Sequence, residues 1–387
     1  MNVTLLYVLV MSLGLVFYAY AGYAVLIYIF SRLFGGKPIP AENAGTLPSV
    51  RVLVSALNEE DCIGARVENV LSQDYPADRL QVTIASDGST DRTAAIVQKL
   101  ADQNPGRVGL LDYPRRRGKA TVLNDAMTTI PEDIVVLSDA NTFFETQAIR
   151  RLCRWFADQR VGVVCGRLVL VDPQSGRNVD SLYWRYETFL KECEGHLGAL
   201  LGSNGAIYAI RRECFSPIPP DTIIDDFVIP LQARINTGKV IVYDADAVAT
   251  EETPAEMADE FRRRARIGAG GFQSLFRLWR LLLPTYGWTT FAFWSHKVLR
   301  WFCPAFMFSA LAANLLLVRS PPLHILLAAQ IGFYLLALAG RYLPGNGKLV
   351  RVVRLTTLFT SMNLALVVGF WRWLIGRQRG TWQRTAR

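Results

Sequence analysis

Four acidic clusters recur along the chain, each at an expected strand end or turn. They are Asn58-Glu59, Ser86-Asp87-Gly88-Ser89-Thr90-Asp91, Ser138-Asp139-Ala140-Asn141-Thr142 and Ile224-Asp225-Asp226-Phe227. Alone, each is ordinary: Asp-Gly favours a turn, and paired Asp favours solvent. As an ordered set they match one chemistry. A nucleotide diphosphate is multiply anionic and departs poorly unless its charge is neutralised. A hard divalent cation, Mg2+ or Mn2+, does this while held by one or two protein oxygens. Asp139, with Asn141 two residues on, offers those oxygens. Asp87 and Glu59 could accept hydrogen bonds from a base or a ribose. Lys119, within Arg117-Gly118-Lys119-Ala120, could meet a base or a phosphate. An attacking hydroxyl must also lose its proton, and Asp226 is the candidate general base. The three histidines are weaker candidates. His296 and His324 lie in an apolar tail, and His196 is followed by an apolar stretch that gives it a structural role.

These residues need elements to position them. Hydrophobic runs and turn residues predict strands at Val50–Ser55, Gln81–Ser86, Val108–Tyr113 and Ile134–Leu137. Helices are predicted at Glu60–Gln73, Asp91–Asp102 and Lys119–Thr128, the second with Ser89 or Thr90 as N-cap. Strands alternating with helices imply an α/β fold with a mostly parallel sheet. Ligands in such sheets bind beyond the carboxyl ends of the strands. The acidic clusters fall there, and so do Ala56 at the end of the first strand and Gly88 after the second.

The chain has 387 residues, is 51% hydrophobic and carries a formal net charge of +9. Its apolar residues concentrate at the two ends. Residues 3–30 contain no charge and, at about 1.5 Å per residue, are long enough to cross a bilayer. Ala19-Tyr20-Ala21 resembles a signal-peptide cleavage site, but no basic segment precedes it and the apolar run continues beyond it. Arg32 and Lys37 follow that run, which predicts a cytosolic position for the domain after it. Further spans are expected at Ala305–Val318, Leu323–Ala339 and about 355–374, with an interfacial helix over 286–300. The expected organisation is a transmembrane helix (1–31), a Pro- and Gly-bearing linker (32–48), a catalytic domain (49–275), an interfacial region (276–300), apolar helices (301–375) and a basic tail (376–387). The tail carries Arg377, Arg379, Arg384 and Arg387, which favour the cytosolic side, whereas four full spans would put it outside. One carboxyl-terminal segment is therefore expected to be re-entrant or interfacial. Arginines beside apolar stretches suit anionic lipid headgroups and a phosphorylated substrate rather than nucleic acid. The six cysteines form no CxxC pair and are expected as free thiols.

The acidic clusters also lie within longer motifs. These are Val54-Ser55-Ala56-Leu57-Asn58-Glu59-Glu60, Asp87-Gly88-Ser89-Thr90-Asp91, Arg117-Gly118-Lys119-Ala120, Ser138-Asp139-Ala140-Asn141-Thr142, Gly202-Ser203-Asn204-Gly205 and Asp225-Asp226-Phe227. In this order, from Val50 to about Gln273, the chain resembles the family 2 glycosyltransferases, in the membrane branch that includes cellulose, chitin and hyaluronan synthases. The resemblance implies a GT-A nucleotide-sugar domain and inversion at the anomeric carbon by a single displacement. It implies that Asp87 reads uracil, that Asp139 contacts the diphosphate and metal, and that Asp226 is the base. It further implies that Ser203 and Asn204 border the acceptor beside Asp225, and that Arg263 and Arg266 meet the diphosphate. The partners implied are a nucleotide-sugar donor, a lipid-linked or saccharide acceptor, and membrane lipids.

Two departures shape the functional expectation. The family's Asp-x-Asp is here Asp139-Ala140-Asn141, which keeps two oxygen donors with one charge fewer. The arginines of the Gln/Arg-x-x-Arg-Trp element are kept in Arg263-Arg264-Ala265-Arg266, but Ile267 replaces the tryptophan. In processive synthases that ring stacks on a sugar face, and isoleucine offers no such surface. The expected activity is transfer of one or a few sugars in glycolipid or exopolysaccharide synthesis, in a protein of the bacterial inner-membrane type. The alternatives are a processive synthase that also secretes its product and a non-catalytic assembly subunit; retention of Asp139 and Asp226 argues against the latter.

Overall fold

The computed structural model describes residues 2–36, 40, 47–172, 182–252, 257–317, 321–340, 342–343, 347–378 and 380. Most of the expected 32–48 linker, including Lys37 and Pro38, lies outside the described residues, as do Arg379, Arg384 and Arg387 of the basic tail. The chain divides into two compact units: residues 1–26, 256–277 and 293–378 form one, and residues 27–255, 278–292 and 379–387 the other.

The second unit is built on an eight-stranded sheet. Its strands are β1 (Val50–Ala56), β2 (Leu80–Asp87), β3 (Val108–Tyr113), β4 (Ile134–Asp139), β5 (Phe143–Phe144), β6 (Val161–Val171), β7 (Tyr208–Arg211) and β8 (Val240–Glu252). Their spatial order is β3-β2-β1-β4-β7-β6-β8-β5. Four of the seven ladders are parallel, as the strand–helix alternation implies. The ladders made by β7 and β5 run antiparallel, so the sheet is mixed. Strands β1, β2 and β4 are buried almost throughout, which is why they read as continuous Val/Ile/Leu runs. The helix Ile63–Leu71 turns Ile63, Val67 and Val70 into this core at helical spacing.

One capping expectation is corrected. The helix expected to begin at Asp91 begins at Thr93, and its amide is capped by Asp91 Oδ1 at 2.9 Å. Ser89 and Thr90 are instead engaged with Asn58, which removes them from the helix end.

The first unit is helical. Val3–Leu33, Trp288–Leu316 and Leu349–Leu374 are long and apolar enough to cross a membrane, and Leu323–Ala339 is a shorter apolar helix. Residues 286–300, expected as an interfacial helix, are continuous from Trp288 with the long helix that ends at Leu316. Their polar groups are covered by protein: His296 is buried beside Tyr23, and the Arg300 guanidinium lies over the Tyr20 ring. Two stretches of π-helix, Tyr18–Gly22 and Phe293–Val298, face each other, with Tyr18 and Ser295 hydroxyls 2.8 Å apart. Leu9 packs with Ala310, Ala313 and Leu317, where small residues allow close helix approach. Helix Met257–Arg277 lies against Lys348–Leu374 through Gly268, Gly369 and the Phe272–Phe370 pair.

Candidate active site

The sequence-predicted residues of the sheet unit converge at the carboxyl ends of β1, β2 and β4. Ala56 closes β1, and Asn58 follows with φ of 56°. Asparagine tolerates this left-handed conformation better than most residues. It lets the Asn58 amide face the next turn, where Asn58 Oδ1 accepts from Thr90 N at 2.8 Å. Glu59 N donates to Thr93 Oγ1 at 2.8 Å, and Glu60 N donates to Asp91 Oδ2 at 3.1 Å. The first two acidic clusters are thus clasped together by side chain–backbone bonds.

Asp87 is fully buried at the end of β2. Its carboxylate accepts from the backbone amides of Arg117 and Gly118 at 2.5 and 2.9 Å. These charge-assisted bonds hold the Arg115–Gly118 turn over the β2 end. Gly88 has φ of 71°, and a Cβ there would lie 2.6 Å from Arg116 N. Only glycine fits both the backbone conformation and the approach.

The same turn delivers Lys119 to the centre of the site. Its Nζ lies 2.9 Å from Asp139 Oδ1 and 3.1 Å from Asp225 Oδ2. Burial opposes its charge, but Asp139, Asp225 and Asp226 outweigh that and hold the ammonium above its ordinary pKa. Asp225 and Asp226 occupy the first turn of helix Asp225–Thr237, where the helix dipole favours carboxylates. Asp226 Oδ2 accepts from Gly205 N at 3.2 Å, and the Asp226 carbonyl accepts from Ser203 N and Oγ. A Cβ on Gly205 would stand 3.4 Å from both Asp139 Oδ2 and Asp226 Oδ2. The expected metal-contact carboxylate and the expected base therefore both approach one backbone position. Asn204 is held by Lys191 and by the Gly166 carbonyl, which fixes the loop that Ser203 and Gly205 share. Arg263 and Arg266 lie on helix Met257–Arg277, which belongs to the other unit.

Three neighbours were not singled out from the sequence. Arg66 is fully buried, stacked 4.0 Å over Phe144 and bonded at 2.9 Å to the Oγ of Ser138, the residue before Asp139. Burial pulls its guanidinium down to about 9, against the opposing pull of Asp139. The signal was an arginine on the apolar Ile63–Val67–Val70 face. Tyr208 is buried, and its hydroxyl has no hydrogen-bond partner among the described residues. Burial and then Asp225, Asp226 and Asp139 raise its pKa well above normal, so it stays protonated. Glu251, at the end of β8, accepts from Asn141 Nδ2 at 2.5 Å.

Among the described residues, no three His, Cys, Asp or Glu side chains form a ready cage for a metal. The donor set does fit a hard cation shared with a diphosphate. Asp139 and Asn141 offer oxygens, and the carboxylates already draw a cationic group, Lys119, between them. The cation would neutralise the leaving diphosphate, with Asp139 and Asn141 as its protein ligands.

Similarity to known proteins is consistent with this geometry. Residues 51–213 match the family described as Glycosyl transferase family 2, and residues 134–374 match Glycosyl transferase family group 2. The chain belongs to the family 2 glycosyltransferases. Among its relatives is a beta-monoglucosyldiacylglycerol synthase of Synechocystis sp., 28% identical over 251 residues, which are 63% of this chain and 52% of that one. A poly-beta-1,6-N-acetyl-D-glucosamine synthase of Staphylococcus aureus is 25% identical over 250 residues, which are 62% of this chain and 58% of that one. The aligned part thus spans little more than half of each relative's length. In fold, this glycosyltransferase resembles a mannosyltransferase from Pyrobaculum calidifontis solved with GDP-Man and Mn2+. The TM-score is 0.72 at 22% identity, covering 96% of this chain and 99% of that one. The sheet unit therefore has the GT-A fold.

Proposed function

We propose that this glycosyltransferase moves a single sugar, or a few, from a UDP-linked donor to a lipid-linked or saccharide acceptor at a membrane. The reaction inverts the anomeric centre in one displacement. Asp226 takes the acceptor hydroxyl's proton, while Asp139 and Asn141 face the diphosphate side with Mg2+ or Mn2+. The observation that carries this reading is the convergence of Asp139 and Asp226 on Gly205, next to Lys119. It brings a carboxylate suited to charge neutralisation and one suited to proton removal to a single position, which favours a single displacement. Asp87, Asn58 and Glu59, with Gly88 allowing the close turn, form the nucleotide end. Ser203, Asn204 and Asp225 form the acceptor side.

Limited addition rather than polymerisation is favoured by Ile267, which stands where a processive synthase carries tryptophan. The long apolar helices, with Arg32 and Lys37 after the first, support an inner-membrane protein whose catalytic unit faces the cytosol. The test is a screen of radiolabelled UDP- and GDP-sugars with membranes containing the protein, with and without EDTA. The expected product is lipid-extractable or a short saccharide, formed from a UDP-sugar and abolished by EDTA. Long polymer would overturn limited addition, and absence of transfer from every donor would overturn the activity.

A further inference from the structure

We propose that Glu251 is a positioning residue for the donor's metal, and that Asn141 is matched to it rather than being a weakened aspartate. The proposal rests on the reading of Asp139 and Asn141 as metal ligands. Asn141 lies in the turn between β4 and β5, one residue beyond Ala140. Phe143 pairs with Thr250 in the antiparallel β5–β8 ladder, which brings Glu251 across from the residue before Phe143. From there Glu251 Oε1 receives the Asn141 Nδ2 hydrogen bond at 2.5 Å.

This contact decides which end of the amide faces the site. An ionised carboxylate can only accept, so the NH2 group must point at Glu251. The carbonyl Oδ1 is then turned away from Glu251, and this is the end able to ligate a hard cation. Glu251 also restores, from another strand, the negative charge that Asp139-Ala140-Asn141 lacks. An aspartate at position 141 would set two carboxylates about as close as that hydrogen bond, and they would repel. The usual Asp-x-Asp pair and Glu251 are thus mutually exclusive here. The sequence keeps one consistent combination, an amide at position 141 with a carboxylate at position 251.

The test is Mn2+ binding to the detergent-purified full-length protein, read from the free Mn2+ EPR signal with excess UDP and, separately, GDP. Glu251→Gln allows the Asn141 amide to turn over and should weaken Mn2+ binding about tenfold, a common size for loss of a group that orients a metal ligand. Asn141→Asp alone should also weaken binding, although it restores the common motif. In the Asn141→Asp, Glu251→Gln double variant the amide and the carboxylate exchange places, so one again donates to the other. That variant should return to within about threefold of wild type. Melting temperatures measured on the same samples confirm that the single variants are folded. Losses that simply add, or an Asn141→Asp variant that binds Mn2+ more tightly with Glu251 present, overturn the proposal for Glu251. If the wild type binds no Mn2+ with either nucleotide, the metal reading itself falls and takes this inference with it.

Discussion

Replacing Lys119 by methionine keeps an unbranched side chain and removes the charge that joins Asp139 to Asp225. The two contacts are 2.9 and 3.1 Å, and the side chains are 17%, 31% and 14% exposed for Lys119, Asp139 and Asp225. Removing one partner of a buried ion pair costs about 3–5 kcal/mol, because the remaining charges stay buried without compensation. Asp139 is open enough to solvent to place this case near the lower figure, about 3 kcal/mol. For a domain of about 200 residues, each kcal/mol moves the melting temperature by about 2–4 °C, so a fall of about 6–12 °C is expected. The assay is thermal unfolding of detergent-purified protein in EDTA, followed by intrinsic fluorescence. Adding Mn2+ with UDP should narrow the gap between variant and wild type, because a divalent cation answers the same carboxylates. A Lys119→Met protein that melts within about 2 °C of wild type in EDTA would refute the account of Lys119 as the internal counter-ion of this cluster.

Asp226→Asn should lower transfer by about two to four orders of magnitude, the usual contribution of a general base, while leaving Mn2+-dependent nucleotide binding intact by calorimetry. Wild-type turnover in that variant would remove Asp226 as the base. Asp139→Ala should abolish the dependence of nucleotide affinity on Mn2+; an unchanged dependence would exclude Asp139 from that role. Gly88→Ala should cost at least about 1–2 kcal/mol from its left-handed backbone alone, with the Arg116 amide contact adding to it. An unaltered melting temperature would show that the Arg115–Gly118 turn does not need that approach.

The first half of the sheet was legible because its signals are local. β1 to β4 are short apolar runs ending in turn residues, with amphipathic helices between them. The order β4-β7-β6-β8-β5 was not legible, since β7 and β5 join by antiparallel pairing over long sequence separations. In the site, Asp87, Asp139 and Asp226 could be picked out by type and position at element ends. The sequence alone presents Lys119 as a base or phosphate contact, because nothing near it in sequence reveals Asp225 on a distant helix. Glu251 was missed for the same reason: its link to Asn141 exists only once β5 lies beside β8. Arg66 left a local trace, a charge on a buried helix face, but a trace of that kind does not name its partners.

The facing π-helical stretches at Tyr18–Gly22 and Phe293–Val298 restrict how this chain can accept insertions and deletions. Each holds a turn wider than its neighbours, so each sets the angular phase of the helix that follows. A π-turn takes up one residue more than an α-turn, so deleting one residue from Tyr18–Gly22 would let that turn close to an α-turn and leave Tyr23 in phase with His296. Deleting one residue from the regular α-helix between Val3 and Phe17 would instead rotate one side of the helix against the other by about 100° and move Leu9 off Ala310 and Ala313. The wide turns are thus the places where these helices can absorb a change of length.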